Sequence, residues 1–154
     1  MDILRRLRSL LASDVKFLAI GAWAFPAYGY VRMTQDIDIF IEATPANAEK
    51  IFAALKAVGY DVVDGVGPET FLNKKVLLRE YILQTDIHPF VAGVTFEEAW
   101  ANRVLTEIKG CKVYVPSLAH LIKMKKAAGR EKDKTDLEAL REIQKQLNQK
   151  KVGN

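Results

Sequence analysis

The sequence predicts an α+β (α/β) fold: a small mixed β-sheet with helices packed on it, followed by C-terminal helices. Three observations predict it. First, Thr34-Gln35-Asp36-Ile37-Asp38-Ile39-Phe40-Ile41 alternates as a strand does, with Asp36, Asp38 and Phe40 on one face and Ile37, Ile39 and Ile41 on the other. Second, Thr44-Pro45 opens a helix that Gly59 closes, Thr as cap and Pro at the first helical position. Third, apolar residues recur at helical spacing from Leu118 onward. Elements therefore run helix, strand, helix, strand, helix, several strands, then helices, the order of a mixed sheet covered by helices.

Taken in order, MDILRRLRSLLASD reads as an amphipathic first helix with Ile3, Leu4, Leu7, Leu10 and Leu11 on one side. Its scattered arginines break the continuous apolar core that a signal peptide needs. Lys16–Ile20 is a short buried strand ended by Gly21-Ala22. Trp23–Tyr28 leans helical, and Pro26 limits it to a first turn or a bend. After the Asp36–Ile41 strand, the second helix carries Ala48, Ile51, Phe52 and Leu55 as its apolar stripe. Tyr60–Val63 reads as a strand, Asp64–Pro68 as a turn, and Thr70–Lys75 and Val76–Arg79 as weak strands. Glu80–His88 is a stronger strand, with Ile82, Gln84, Asp86 and His88 on one face, and Pro89 ends it. Thr95-Phe96-Glu97-Glu98 has capping-box spacing. Val104–Ile108 and Lys112–Val115 flank Gly110 as a hairpin. Leu118, Leu121 and Ile122 start the C-terminal helices, Gly129 interrupts them, and Leu137, Leu140, Ile143 and Leu147 resume. The tail from Gln149 is expected to fray.

The chain of 154 residues carries 23 Lys and Arg against 19 Asp and Glu, a net +4. That length suits one domain, with an α/β core over 1–115 and helices over 116–148. No apolar run approaches the roughly 20 residues that span a bilayer, so no membrane association is expected. Cys111 stands alone, which excludes an internal disulfide and fits a reducing cytoplasm.

Chemistry concentrates around the aspartates. Asp36 and Asp38 share a strand face with Cα atoms about 7 Å apart. Charges on so apolar a strand call for a cationic partner, and hard oxygen ligands suit Mg²⁺ or Mn²⁺. A solvated strand end is the plainer explanation of the pair. Asp86 lies mid-strand in ILQTDIHPF, and if that strand runs beside the first, all three carboxylates converge. Gly21 lets backbone approach a ligand, and a helix starting there would aim N–H groups at an anion.

IGAWA…GYVRMTQDIDIFI resembles the signature of the nucleotidyltransferase superfamily with the DNA polymerase beta-like fold: a Gly-Ser or Gly-Gly turn, then hydrophobic-Asp-hydrophobic-Asp, with a third Asp on a later strand. Arg32-x-Thr34-x-Asp36-Ile37-Asp38 is similar to its small bacterial members. VPSLAHLIKMKKAAGREKDKTDLEAL resembles their C-terminal helices, including those of abortive-infection and toxin–antitoxin systems. The resemblance implies metal-dependent transfer of a nucleoside monophosphate from an NTP, such as ATP, to a hydroxyl acceptor. It gives Asp36 and Asp38 to the metal ions. It gives Asp86 to the catalytic metal and to deprotonation of the acceptor. It sets Gly21 and the Ala22 amide against the triphosphate, and it brings Lys125 and Arg130 to the outer phosphates.

Arg32 contacts phosphate or buttresses Asp36 or Asp38. The acceptor is a protein side chain, a tRNA end or a small hydroxylated molecule, with a partner protein or a homodimer completing its site. Ala22 departs from the Ser or Gly of the signature. That motivates an alternative: a catalytically weak or inactive nucleotide-binding or partner-binding module of a toxin–antitoxin-like system. Nucleic-acid binding through the basic stretch Lys123–Lys134 is a third reading. His88, two positions after Asp86 on the same face, reads first as a hydrogen-bonded structural residue, with a place near the site as the alternative, and Asp133 and Asp136 read as capping or pairing locally. Trp23, Phe25 and Tyr28 read as core, with Tyr28 and Tyr30 as alternative base-stacking residues.

Overall fold

The computed structural model of the chain describes residues 3–32, 34, 36–60, 67–80 and 83–152. Helix α1 (Ile3–Ala12) precedes strand β1 (Phe17–Ile20), and β2 (Asp36–Ile41) leads into α2 (Pro45–Ala57). A short α3 (Thr70–Asn73), β3 (Val76–Glu80), β4 (Leu83–His88) and α4 (Phe96–Ala101) follow. The chain then forms β5 (Val104–Ile108), β6 (Cys111–Val115), α5 (Leu118–Ala128) and α6 (Lys134–Val152). Among the described residues, one sheet runs in the order β1-β2-β4-β3, and β5 and β6 form a separate hairpin that lies against β1. β1 and β3 are antiparallel to their neighbours, while the central pair β2 and β4 is parallel.

That parallel pair decides the site. Its register sets Asp38 beside Asp86, so the two side chains leave the same face of neighbouring strands. The opposite face of β2 presents Ile37, Ile39 and Ile41 to the main core, with Leu7 and Leu10 of α1, Ile51 and Leu55 of α2, and Leu140 of α6. The aspartate face is not open along its length. Phe40 continues it into a second apolar cluster with Leu18, Ile20, Val94 and Phe96, where the rings of Phe40 and Phe96 meet edge to face at 5.3 Å. β2 thus grades along one face from exposed Asp36 through half-buried Asp38 to buried Phe40.

Caps anticipated from the sequence are present. Thr44 Oγ1 accepts from the Asn47 amide, and Thr95 and Glu98 complete a reciprocal capping box. Gly129 ends α5 in the left-handed conformation at φ +60°, which a Cβ would oppose.

Several expectations are corrected. Thr70–Lys75 is not a strand: successive bonds from Thr70 N to Gly67 O, Phe71 N to Pro68 O and Leu72 N to Glu69 O wind it into α3 and bury Phe71. Tertiary burial outweighs β-propensity there. Trp23–Tyr28 makes no α-helix but two 3₁₀ turns, Gly21–Trp23 and Phe25–Tyr28, the second begun around Pro26. Glu80–His88 divides, because Glu80 closes β3 against Leu83 of β4. α6 does not fray at Gln149 but continues to Val152, with Lys150 and Lys151 in the last turn complementing its dipole. On α1, Arg6 is buried and donates to Thr85 of β4, whereas Leu11 is 40% exposed. The strand expected at Tyr60–Val63 and the turn at Asp64–Pro68 fall largely outside the described residues, as do Tyr81 and Ile82.

Candidate active site

Gly21 stands at the end of β1, against the aspartate face of β2. Its φ is +64°, and a Cβ placed on it would meet Asp38 Oδ2 at 3.0 Å. Glycine is required there twice over, once by the backbone and once by the carboxylate beside it. The chain turns at once, Ala24 N donating to Gly21 O at 3.0 Å. The helix N-terminus expected after Gly21 is thus replaced by a single 3₁₀ turn, which carries too little aligned dipole to seat an anion by itself.

Across the floor, Asp38, Asp86 and His88 offer one ligand atom each within 4.8 Å of one another. His88 Nε2 lies 2.8 Å from Asp38 Oδ1. Lys75, just before β3, brings its Nζ to 3.5 Å from Asp86 Oδ2. Asp36 is exposed at the lip of the same pocket and is not a member of that cluster. Its amide donates to Thr34 Oγ1 at 3.1 Å, which fixes the start of β2.

The C-terminal helices close the far wall. Asp133 and Asp136 are buried, each 3% exposed, and they gather the cations of the region. Arg130 clasps Asp133 with Nε to Oδ2 at 2.7 Å and Nη2 to Oδ1 at 3.1 Å. Lys125 Nζ bridges Asp133 at 3.1 Å and Asp136 at 3.3 Å. Arg32 holds Asp136 through Nε and Nη2, and the Tyr30 hydroxyl donates to Asp136 Oδ1 at 2.9 Å. Burial pushes the Asp133 carboxyl up, but the hydrogen bonds from Arg130 and Lys125 outweigh it and hold the group down at about 2. Burial, reinforced by Asp136, raises the Tyr30 phenol, and burial lifts that of Tyr28 to about 12, so both stay protonated as donors. Tyr28 donates to Pro116 O at 2.6 Å.

These groups line a polar pocket of about 340 Å³ that contains Gly21, Ala22, Asp36, Asp38, Asp86, Lys125 and Arg130 together. An apolar pocket of about 310 Å³ adjoins it, walled by Phe90, Val91, Leu121 and Met124, and the two share Gly21, Asp38, Lys75, His88, Lys125 and Arg130. Carboxylates at one end and a surplus of cations at the other suit a polyphosphate held with a divalent ion.

The structure brings together residues that the sequence spaces far apart, with two differences of partnership. Arg32 buttresses neither Asp36 nor Asp38 but pairs with Asp136, and Asp136 pairs across the chain rather than locally. Two neighbours were not expected from the sequence, Lys75 and the buried Asp133–Asp136 pair, and His88, expected first as a structural residue, joins the cluster. Only His88 carried a usable signal, its position two residues after Asp86 on one strand face. Nothing in the sequence ties Arg32 to an acid 104 residues away.

The sequence model of a family described as "Nucleotidyltransferase of unknown function (DUF6036)" matches residues 1–153. No curated protein matches the chain. Among solved structures, the lincosamide antibiotic adenylyltransferase LnuA with lincomycin bound is similar at a TM-score of 0.63 and 19% identity. That likeness covers 92% of this chain and 95% of LnuA. TM1012 of Thermotoga maritima, assigned as a nucleotidyltransferase, is similar at a TM-score of 0.53 and 18% identity, over 95% of this chain and 92% of that one. At these identities the likeness is one of fold.

Proposed function

We propose, for a chain that belongs to the nucleotidyltransferase family DUF6036, that it moves a nucleoside monophosphate from an NTP to a hydroxyl acceptor at the Asp38–Asp86 face. One observation carries the reading: Asp38 and Asp86 leave neighbouring parallel strands in register, beneath a glycine whose missing Cβ leaves just enough room for Asp38. Asp38 on one strand and Asp86 on the next offer carboxylates that fit a divalent cation, with exposed Asp36 at the lip of the same pocket. Such a cation, when bound, neutralises charge on the phosphates and lowers the pKa of an attacking hydroxyl.

The chain's own groups supply the rest. The acceptor oxygen forms a bond to the α-phosphorus, the bond from that phosphorus to the bridging oxygen breaks, and pyrophosphate leaves. Asp86 takes the acceptor proton. The Gly21 turn keeps side chains away from the triphosphate. Lys125 and Arg130, on the far wall, face the departing charge. The apolar pocket beside the carboxylates suits the nonpolar body of a small hydroxylated acceptor, and we prefer that class to a tRNA end or a protein side chain. The preference accords with the antibiotic substrate in the name of LnuA.

The test is transfer of α-labelled NTP to components of a cell extract, with Mg²⁺ or Mn²⁺. Asp38→Asn is expected to lower transfer by at least about 10²-fold. Transfer that survives Asp38→Asn and Asp86→Asn would defeat the reading.

A second reading keeps the nucleotide and drops the turnover, as in a binding module of a toxin–antitoxin-like pair. Ala22 where the signature has a hydroxyl or glycine favours it, as does the engagement of Arg32, Lys125 and Arg130 by the chain's own acids. Calorimetry with a non-hydrolysable NTP separates the two: binding without transfer to any acceptor supports the second.

A further inference from the structure

We propose that His88 is a direct ligand of the divalent cation, beside Asp38 and Asp86, and that its nitrogen shifts the site's preference from Mg²⁺ toward Mn²⁺. This rests on the metal-dependent reading above and goes beyond the aspartates that reading uses.

The geometry comes from the two central strands. Asp86 and His88 sit two residues apart on β4, hence on one face, and β2 delivers Asp38 in register with Asp86. His88 Nε2 points at Asp38 Oδ1 from 2.8 Å, and the three candidate ligand atoms all fall within 4.8 Å of one another. A cation with bonds of about 2.1 Å holds adjacent ligands roughly 3 Å apart and opposite ligands roughly 4.2 Å apart. The triangle therefore closes on a single ion with small side-chain movements. His88 and Asp86 are mostly buried, with side chains 16% and 15% exposed, while Asp38 is 30% exposed. That leaves the ion an open side toward the polar pocket.

Exposed Asp36 stands apart from this triangle. The inner ligand set is two carboxylates and one imidazole rather than carboxylates alone. Carboxylate and water suit Mg²⁺, whereas imidazole favours later first-row ions, and Mn²⁺ accepts both. Lys75 Nζ lies 3.5 Å from Asp86 Oδ2, so a cation bound at Asp86 competes with that ammonium for the carboxylate. The rival role for His88 is a hydrogen bond that merely orients Asp38. The two roles differ in one atom-level respect: only a ligand places its nitrogen on the metal.

The experiment uses the full chain with Mn²⁺ alone. Pulsed electron paramagnetic resonance reads ¹⁴N coupled directly to the ion, and titration with Mg²⁺ competition gives the selectivity. The wild type is expected to show imidazole coupling that disappears in His88→Gln and persists in His120→Gln. The Mn²⁺-over-Mg²⁺ preference should fall about tenfold in His88→Gln. Bound Mn²⁺ without nitrogen coupling in the wild type overturns the proposal, and that measurement needs no variant to fold. Coupling that survives His88→Gln overturns it as well. A chain that binds neither ion overturns the metal reading itself, an outcome distinct from the other two.

Discussion

At Gly21, one hydrogen atom in place of a methyl group decides where a carboxylate sits. Gly21→Ala would strain a backbone at φ +64° and crowd Asp38 Oδ2 at 3.0 Å. We expect a stability loss of about 1–2 kcal/mol by denaturant titration, together with a loss of metal affinity larger than that of Gly110→Ala, at φ +86° in the β5–β6 turn and in the lining of neither pocket. Asp133 supports a pH prediction. Its folded carboxyl titrates at about 2 against an ordinary 3.8, so the stability it contributes is complete above about pH 4 and is lost as pH falls toward 2. The contribution is about 2 kcal/mol. Asp133→Asn should be less stable at neutral pH and should flatten the unfolding free energy between pH 4 and pH 2. An unchanged acid limb would refute it. The shared face of Asp36 and Asp38 follows from the two-residue period alone, and it was legible in the sequence. The grip of Asp133 and Asp136 was not, because acids on a charged helix look alike until the helix is packed.

Elements were legible where their ends are marked. Thr44-Pro45, the Thr95 capping box and the Gly110 hairpin each carry a local chemical signal, and each forms as expected. Thr70–Lys75 carried none and became α3, because burial of Phe71 settled what β-propensity could not. The register of β2 against β4 is likewise a property of the assembled sheet. The segment around Tyr30 and Arg32 is tied to α6 through Asp136. Asp136→Ala should cost about 1–3 kcal/mol, since it removes the acceptor of the Tyr30 hydroxyl while Arg32 stays 42% exposed and Lys125 keeps Asp133. It should also speed amide hydrogen exchange at the first turn of α6. Exchange unchanged there would show that the tie holds nothing.

At the scale of the molecule, the fold lays a sheet between two apolar clusters and leaves one stretch of its face uncovered, where charge collects. No helix among the described residues is long and apolar enough to cross a membrane. Because cations and carboxylates share the polar pocket, the proposed metal–NTP complex should stabilise the fold by mass action. Its affinity should fall with added salt less steeply than that of a surface-bound anion. A melting temperature indifferent to NTP and Mn²⁺ together would count against the pocket as the nucleotide seat. The most direct observation is anomalous diffraction from crystals soaked with Mn²⁺ and a non-hydrolysable NTP. The expected result is a manganese peak at bonding distance from both Asp38 and Asp86, with triphosphate density against Gly21. Manganese bound elsewhere, or a triphosphate lying on the outer lysines of α5 with the carboxylates bare, would contradict it.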